Sequence, residues 1–393
     1  MAHIEIIGEG KNKRYKVMYE LPPLMGERRR KSKTFPAGTP KSVVDAFKRQ
    51  VEIDLATGEF VSAKEITLEK FTETVYFPIY TKFLSPTTTS NYRKLYESSK
   101  PYCIQKIFGA YKLKDITRRM IQNWVNTLSD NVSPKTVRSY LMFLHAIFNS
   151  AISEDIIKPH CNPTEHIKLP PKNTPPIEAY TIEQINKLLE LSSNDNISHL
   201  IIALGSLSGL RRGEMAGLKW EHVNIDTEKP ELNIVETRIV VDGEETVKAP
   251  KTKAGNRVIP IPNSLADILR KERLNYKTNK LKLGKDFIDK GYVVSKPNGE
   301  PYRPDGISIH YERFMYRMES DYGIPYKSLH KLRHTYASLL IDNGANPKVI
   351  QKALGHEDIT MTLGTYAHAY ANRQQQEISK LDEIITLPKT ASC

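Results

Sequence analysis

The chain has little cysteine and tryptophan, and it lacks a long apolar run. Its three cysteines, Cys103, Cys161 and Cys393, are far apart and form no CxxC pair. That spacing excludes a disulfide scaffold and a cysteine-based zinc site, and it suits a reducing compartment. No apolar stretch reaches the roughly 18 residues of a membrane span, so no membrane contact is expected. The start, MAHIEIIGEGKNKRYKV, is interrupted by Glu5, Glu9 and Lys11 and does not read as a secretory signal. Also absent are a GxxxxGK[ST] phosphate loop, a Rossmann glycine cluster, an HExxH pair and a carboxylate cluster fit for two magnesium ions. The expectation is therefore chemistry with no cofactor and no metal.

Acidic charge is also in deficit. Lys and Arg number 58 against 45 Asp and Glu, a net charge of +13. With 39% hydrophobic and 26% charged residues the chain reads as folded rather than disordered. The positive excess points to an anionic partner, nucleic acid being the commonest. At about 150 residues per domain, 393 residues suggest two or three domains.

The first of these is basic. Residues 1–49 hold 12 Lys or Arg against 5 Asp or Glu. Ile4–Ile6, Tyr15–Tyr19 and the run Arg28–Phe35 read as three short strands, with Gly8 and Gly10 in the first turn. Ser42–Leu55 reads as a helix with Val43, Val44, Phe47, Val51 and Leu55 on one stripe. A small sheet with one helix behind it can present Arg and Lys to a major groove.

A helical unit follows. The clearest period covers Val137, Tyr140, Leu141, Leu144, Ile147, Phe148, Ala151 and Ile152, with Ser133 as cap and Pro134 at the first position. Residues 117–128, Thr67–Phe83 and Thr89–Phe108 complete a four-helix reading. Lys135 and Arg138 at the head of the best helix are candidates for phosphate contact. Residues 159–178 carry six prolines, which no helix tolerates, and read as an extended linker.

The third unit holds the residues that can carry chemistry. Thr181 and Gln184 form a capping box, and residues 199–207 are almost wholly apolar. Leu232–Val240 alternates as a strand, Asp242-Gly243 is a hairpin turn, and Glu245–Lys248 and Arg257–Ile259 return. A protein that cuts nucleic acid without metal must neutralise phosphate with its own Arg, Lys and His, and it needs a nucleophile. Candidates occur in order: Arg211 in GLRRGE, Lys253 in KTKAG, His330 and Arg333 in HKLRH, His356 in LGH, and Tyr366 in TYAH. Lys251 competes with Lys253, and Tyr370 with Tyr366. A metal-dependent nuclease with His330, His334 and His356 as ligands is a rival reading. Glu214, three residues after Arg211, reads as a support for that arginine.

Together these motifs resemble the tyrosine recombinases, the phage integrase family. The whole chain resembles the integrases of Gram-positive phages and integrative conjugative elements. The resemblance implies a multidomain α+β chain in four parts. These are an arm-type DNA-binding domain over 1–62, a helical SAM-like core-binding domain over 63–160, a proline-rich linker over 161–178, and a catalytic domain with a C-terminal tail over 179–393. The last is mainly helical with a small antiparallel sheet.

The implied active site is Arg211, Lys253, His330, Arg333, His356 and Tyr366. Tyr366 is the nucleophile that forms a 3′-phosphotyrosine, Arg211 and Arg333 hold the phosphate, and Lys253 is the general acid. His330 assists proton transfer, and His356 donates to phosphate. The partners implied are double-stranded DNA at core-type and arm-type attachment sites, three further copies in a tetramer on DNA, an excision factor and a host DNA-bending protein. No ATP or metal is implied. The tail, with Ile378, Leu381 and Ile385 on one stripe, is expected to pack on its own domain or a neighbour's. The rivals are a resolvase or type IB topoisomerase-like enzyme of the same chemistry, and an inactive DNA-binding accessory protein.

Overall fold

The structure, a computed structural model, describes residues 2–8, 13–24, 27–56, 66–171, 178–248, 255–355 and 357–359. Lys251, Lys253, His356, Tyr366, Tyr370 and the tail stripe lie outside the described residues. The chain divides into two compact units, Met1–Thr174 and Pro175–Cys393.

The first unit begins with an antiparallel sheet of β1 (His3–Ile7), β2 (Arg14–Leu24) and β3 (Glu27–Phe35), with β2 central. Strand alternation puts Tyr15, Val17 and Tyr19 on one face, opposite α1 (Lys41–Ala56). Val17 and Phe35 bury there with Val44 and Val51 of α1. Val43, assigned above to the apolar stripe, is 49% exposed, because Val44 takes the inward position of that turn. The basic run stays outside: Arg30, Lys31 and Lys33 of β3 are all exposed. Lys33 lies over the Phe47 ring at 4.3 Å, so its stem covers the small core while its charge faces water.

The helical part comprises α2 (Leu68–Phe71), α3 (Pro86–Glu97), α4 (Ile104–Phe108), α5 (Arg118–Asn131) and α6 (Pro134–Ser153). From α2 the chain runs on as a π-helix over Thr72–Tyr80 that contains Pro78, whose missing N–H breaks the ordinary ladder. The single helix expected over Thr89–Phe108 is in fact two, α3 and α4. The chain turns between them through Ser98–Tyr102, where Pro101 supplies no donor. The cap expected for α6 is present: the Ser133 hydroxyl accepts the Thr136 N–H at 3.3 Å, and Pro134 fills the first position. The core is aromatic. Tyr92 stacks on Phe143 at 4.4 Å, and Phe77 and Tyr96 meet it edge-on or tilted.

The start of the proline-rich segment is fixed to this bundle. Asn162 and Thr164 are buried. Asn162 donates to Asn149 on α6 at 2.8 Å and accepts the Thr164 N–H at 3.0 Å, while His145 meets the Thr164 hydroxyl at 2.6 Å. Gln122 of α5 bonds both the N–H and the carbonyl of Lys168. Arg138 donates to the carbonyls of Pro134 and Pro170, so its guanidinium holds backbone in this structure.

In the second unit α7 (Ile182–Leu191) starts with the expected capping box of Thr181 and Gln184. Buried α8 (Asn196–Ser208) is followed by short α9 (Arg212–Gly217). The strands are β4 (Val223–Asn224), β5 (Glu231–Ile234), β6 (Thr237–Val241), β7 (Glu244–Lys248) and β8 (Arg257–Pro260). The run Leu232–Val240, expected as one strand, breaks after Ile234 and serves two sheets. β5 pairs with β4 and β8, whereas β6 pairs only with β7 across the Asp242-Gly243 turn. Three helices and a fourth short one complete the described part: α10 (Asn263–Leu283), α11 (Pro304–Tyr322), α12 (Leu329–Asp342) and α13 (Pro347–Leu354). α12 lies close on α8, where a Cβ on Gly205 would stand 2.7 Å from the Leu332 Cβ. That contact sets the depth at which α12 carries its polar residues. Among the described residues no helix is long and apolar enough to cross a membrane.

Candidate active site

The site is organised around a buried carboxylate. Glu214, in the first turn of α9, is 6% exposed. Its oxygens accept the Arg211 N–H at 2.9 Å and the Arg211 guanidinium at 2.8 Å. They also accept two nitrogens of Arg257 at 3.0 and 2.9 Å, and Arg333 stands 4.0 Å away. Burial pushes the Glu214 carboxyl up. The Arg257 hydrogen bonds and the charges of Arg257, Arg211 and Arg333 outweigh it and hold the group down at about 2. The carboxylate is thus ionised throughout the physiological range. Three guanidiniums against one carboxylate leave two positive charges for an anion.

The same three arginines satisfy the end of α13. Arg257 Nε donates to the Ala353 carbonyl at 2.9 Å, Arg333 to that of Leu354, and Arg211 to that of Gly355 at 3.3 Å. The last carbonyls of a helix lack intrahelical partners and carry the negative end of its dipole, so cations there are stabilising. Gly355 ends α13 in the left-handed conformation, and the chain leaves from it toward His356.

Arg211 and Arg333 are not equivalent. The Arg211 side chain is 38% exposed, at the mouth of the site. Arg333 is 3% exposed, and it also donates to the Gly209 carbonyl at 2.7 Å. Gly209 closes α8 with φ +64°, and a Cβ there would meet the Tyr336 ring at 2.5 Å. Only glycine makes this turn at this depth. The turn aims one carbonyl at Arg333 and starts the segment that carries Arg211.

His330 lies one turn before Arg333 on α12, with its outer side open to solvent. The protein behind it, then Arg333, Arg211 and Lys331, hold its imidazole below the ordinary value. It is therefore neutral at physiological pH and able to accept a proton. The next turn supplies His334, partly buried and pushed down to about 4 by burial, then by His330, Lys331 and Arg333. The start of α12 is fixed by Tyr180. Its N–H donates to the Thr335 hydroxyl at 2.9 Å, and its own hydroxyl accepts the Lys327 N–H at 3.1 Å.

Of the six site residues read from sequence, Arg211, His330 and Arg333 come together here. Lys253, His356 and Tyr366 lie outside the described residues; Gly255, two after Lys253 in sequence, and Gly355, one before His356, each give a carbonyl to an arginine of the site. Glu214 supports Arg211 as expected, and two further arginines besides. Arg257 was missed. The signal was present: in β8 it shares the inward face with buried Ile259, and a charge at an inward strand position needs a partner.

Comparison with known proteins agrees with this architecture. Residues 177–373 match the phage integrase family, and residues 67–168 match the phage integrase SAM-like domain. The chain is 29% identical over 367 residues to a tyrosine recombinase XerC-like protein of Caldanaerobacter subterraneus, covering 88% of this chain and 90% of that one. It is 28% identical over 296 residues to the ICEBs1 integrase of Bacillus subtilis, covering 74% and 78%. Among solved structures, the Tn1549 transposon integrase bound to transposon right end DNA superposes with a TM-score of 0.65 at 23% identity, covering 80% of this chain and 99% of that one. A λ integrase dimer on a core site gives 0.55 at 18% identity, covering 94% and 95%. The small N-terminal sheet with its helix, the helical second part and the mainly helical third part with small sheets follow the integrase architecture. With family matches spanning both its helical and its arginine-bearing parts, the chain belongs to the phage integrase family of tyrosine recombinases.

Proposed function

We propose that this protein is a site-specific integrase that cuts and rejoins duplex DNA through a 3′-phosphotyrosine on Tyr366. The observation that carries this reading is the pairing of Arg211 and Arg333 about one ionised carboxylate, with neutral His330 beside them. A phosphodiester gains negative charge on the way to its transition state. Preorganised guanidiniums oppose that charge without reorganising, and they act most strongly where water is excluded.

In this reading the Tyr366 oxygen attacks the phosphorus, and the bond to the 5′-oxygen breaks. The phenol, with an ordinary pKa of about 10, gives its proton to His330. Lys253 supplies a proton to the departing 5′-oxygen. Arg211 meets the phosphate at the mouth of the site, Arg333 acts from beneath, and His356 donates to a phosphate oxygen. The ester stored on Tyr366 needs no ATP, and the attack of a 5′-hydroxyl from a second duplex completes exchange.

The division into an arm-binding 1–62, a core-binding 63–160, a linker 161–178 and a catalytic 179–393 belongs to the same proposal. So do the tetramer on DNA, the excision factor and the DNA-bending partner. Relatives lend support: a λ integrase tetramer is seen on a Holliday junction, and the Tn1549 integrase on transposon end DNA. A resolvase is the second reading, favoured by the long match to a XerC-like recombinase. The basic N-terminal sheet favours the integrase.

The test is a nicked duplex spanning the junction of the element that encodes the chain, incubated with protein in excess chelator. A protein–DNA adduct mapped to Tyr366, and lost in Tyr366→Phe while DNA binding persists, supports the proposal. An adduct formed normally by Tyr366→Phe refutes it.

A further inference from the structure

The Arg257 side chain touches three separate segments. It grips both oxygens of Glu214 in α9 at 3.0 and 2.9 Å. It donates to the Ala353 carbonyl in the last turn of α13 at 2.9 Å. It donates to the carbonyl of Gly255, just before β8, at 3.4 Å. Glu214 bonds Arg211 itself, and in sequence Gly255 lies two positions after Lys253 and Ala353 three before His356. Arg257 itself is buried, at 6% exposure, on the inner face of β8 and away from the mouth of the site.

We propose that Arg257 is a positioning residue for the recombinase reaction, holding Arg211 in place through Glu214 and tying it to the end of α13 through the Ala353 carbonyl. This rests on the recombinase reading above. The physical case is one of geometry and charge. Glu214 lies directly against Arg211, and left alone it would offset that cation where the phosphate must bind. With Arg257 spread across both oxygens, the carboxylate is neutralised from behind, yet it still orients Arg211 from the front. A planar guanidinium can do this while its Nε–H reaches a third acceptor, whereas an ammonium is a point charge. Three arginines face Glu214, from the cap before α9, from β8 and from α12, and the Tyr336 ring lies near Arg257 and Arg333.

The test uses the full chain and the nicked junction duplex under single-turnover conditions. Arg257→Met is expected to keep DNA affinity and to slow adduct formation roughly 100-fold, the scale of a displacement of about 1 Å at a reacting group. Arg257→Lys recovers only part of the rate. A merely structural loss would lower the rate by one factor at every pH. Loss of this role makes the ratio of wild-type to Met rates vary between about pH 4 and 6, as Glu214 begins to take up protons. The variation disappears in a Glu214→Gln background. A full rate in Arg257→Met, or a ratio flat with pH, overturns the inference. Hydrogen exchange on DNA-free protein gives a second reading: the amides of residues 353–355 should lose protection in Arg257→Met, and retained protection also overturns it. Adduct in wild type with a normal Arg257→Met sinks this inference alone. No adduct in wild type, with exchange at 353–355 altered as expected, sinks the recombinase reading and leaves the tie itself standing.

Discussion

The His334 ring meets the His330 ring edge-on, with centroids 4.8 Å apart and planes at 83°. The two imidazoles share one face of α12 beside Arg333, and His330 raises the cost of a proton on His334. In the unfolded chain both titrate near about 6.5. In the folded chain His334 titrates near 4, and His330 also below its ordinary value. As the pH falls below 6.5 the unfolded state takes up protons that the folded state refuses, so stability falls. The melting temperature should therefore drop as pH is lowered from about 6.5 toward 4, and less steeply in His334→Gln. Parallel curves for the two proteins would refute the pairing.

Glu214 makes a second, more acidic window. Its folded value of about 2 lies below the ordinary 4.5, so its stabilisation is complete above pH 4.5 and is lost as pH falls toward 2. Removing the carboxylate leaves three guanidiniums facing each other, two of them buried, those of Arg257 and Arg333. Glu214→Ala should cost about 3–5 kcal/mol in denaturant unfolding, the scale for breaking a buried ion pair from one side. A loss under about 1 kcal/mol would mean that the arginines find other anions or water.

At Gly209 the backbone and the packing make the same demand. Alanine there must hold φ near +64° and force the Tyr336 ring away from a 2.5 Å approach. Gly209→Ala should cost about 2–4 kcal/mol, summing left-handed strain and overpacking. It should also weaken the carbonyl bond to Arg333. Thermal melts would check the first effect. The second would appear as a larger loss of DNA-adduct rate than an equally destabilising change far from the site.

The Asn162 network predicts where proteases act. Asn162→Ala leaves the buried Thr164 N–H without its 3.0 Å acceptor, a cost of about 1–3 kcal/mol. Limited proteolysis of the full chain should then cut sooner within residues 159–171. An unchanged cleavage pattern would show that His145 and Gln122 hold the segment without it.

Much of this architecture is legible in local sequence because its causes are local. Ser133-Pro134, Thr181 with Gln184, and Asp242-Gly243 are short signals, and each forms the cap or turn it announces. The break after Ile234 is not local. Alternation continues through Val235, and only the remote partners of β5 and β6 divide the run. The same limit applies at the site. Arg211, His330 and Arg333 stand out because each sits in a short motif, and Glu214 lies within one turn of Arg211. Arg257 reaches Glu214 from 43 positions away and Ala353 from 96, so no window of sequence holds its reason for being there.

The described stretches on either side of residues 172–177 are each fastened within their own unit. Residues 161–178 read as a linker, yet its first half is fastened to the helical bundle as far as Pro170, by Arg138. At the other end Lys327 donates to the Ala179 carbonyl, and Tyr180 is fixed to α12. A pull on the chain at Ala179 is delivered to Lys327 and Thr335, which flank His330 and Arg333 in sequence, so tension there bears on the helix that carries both side chains.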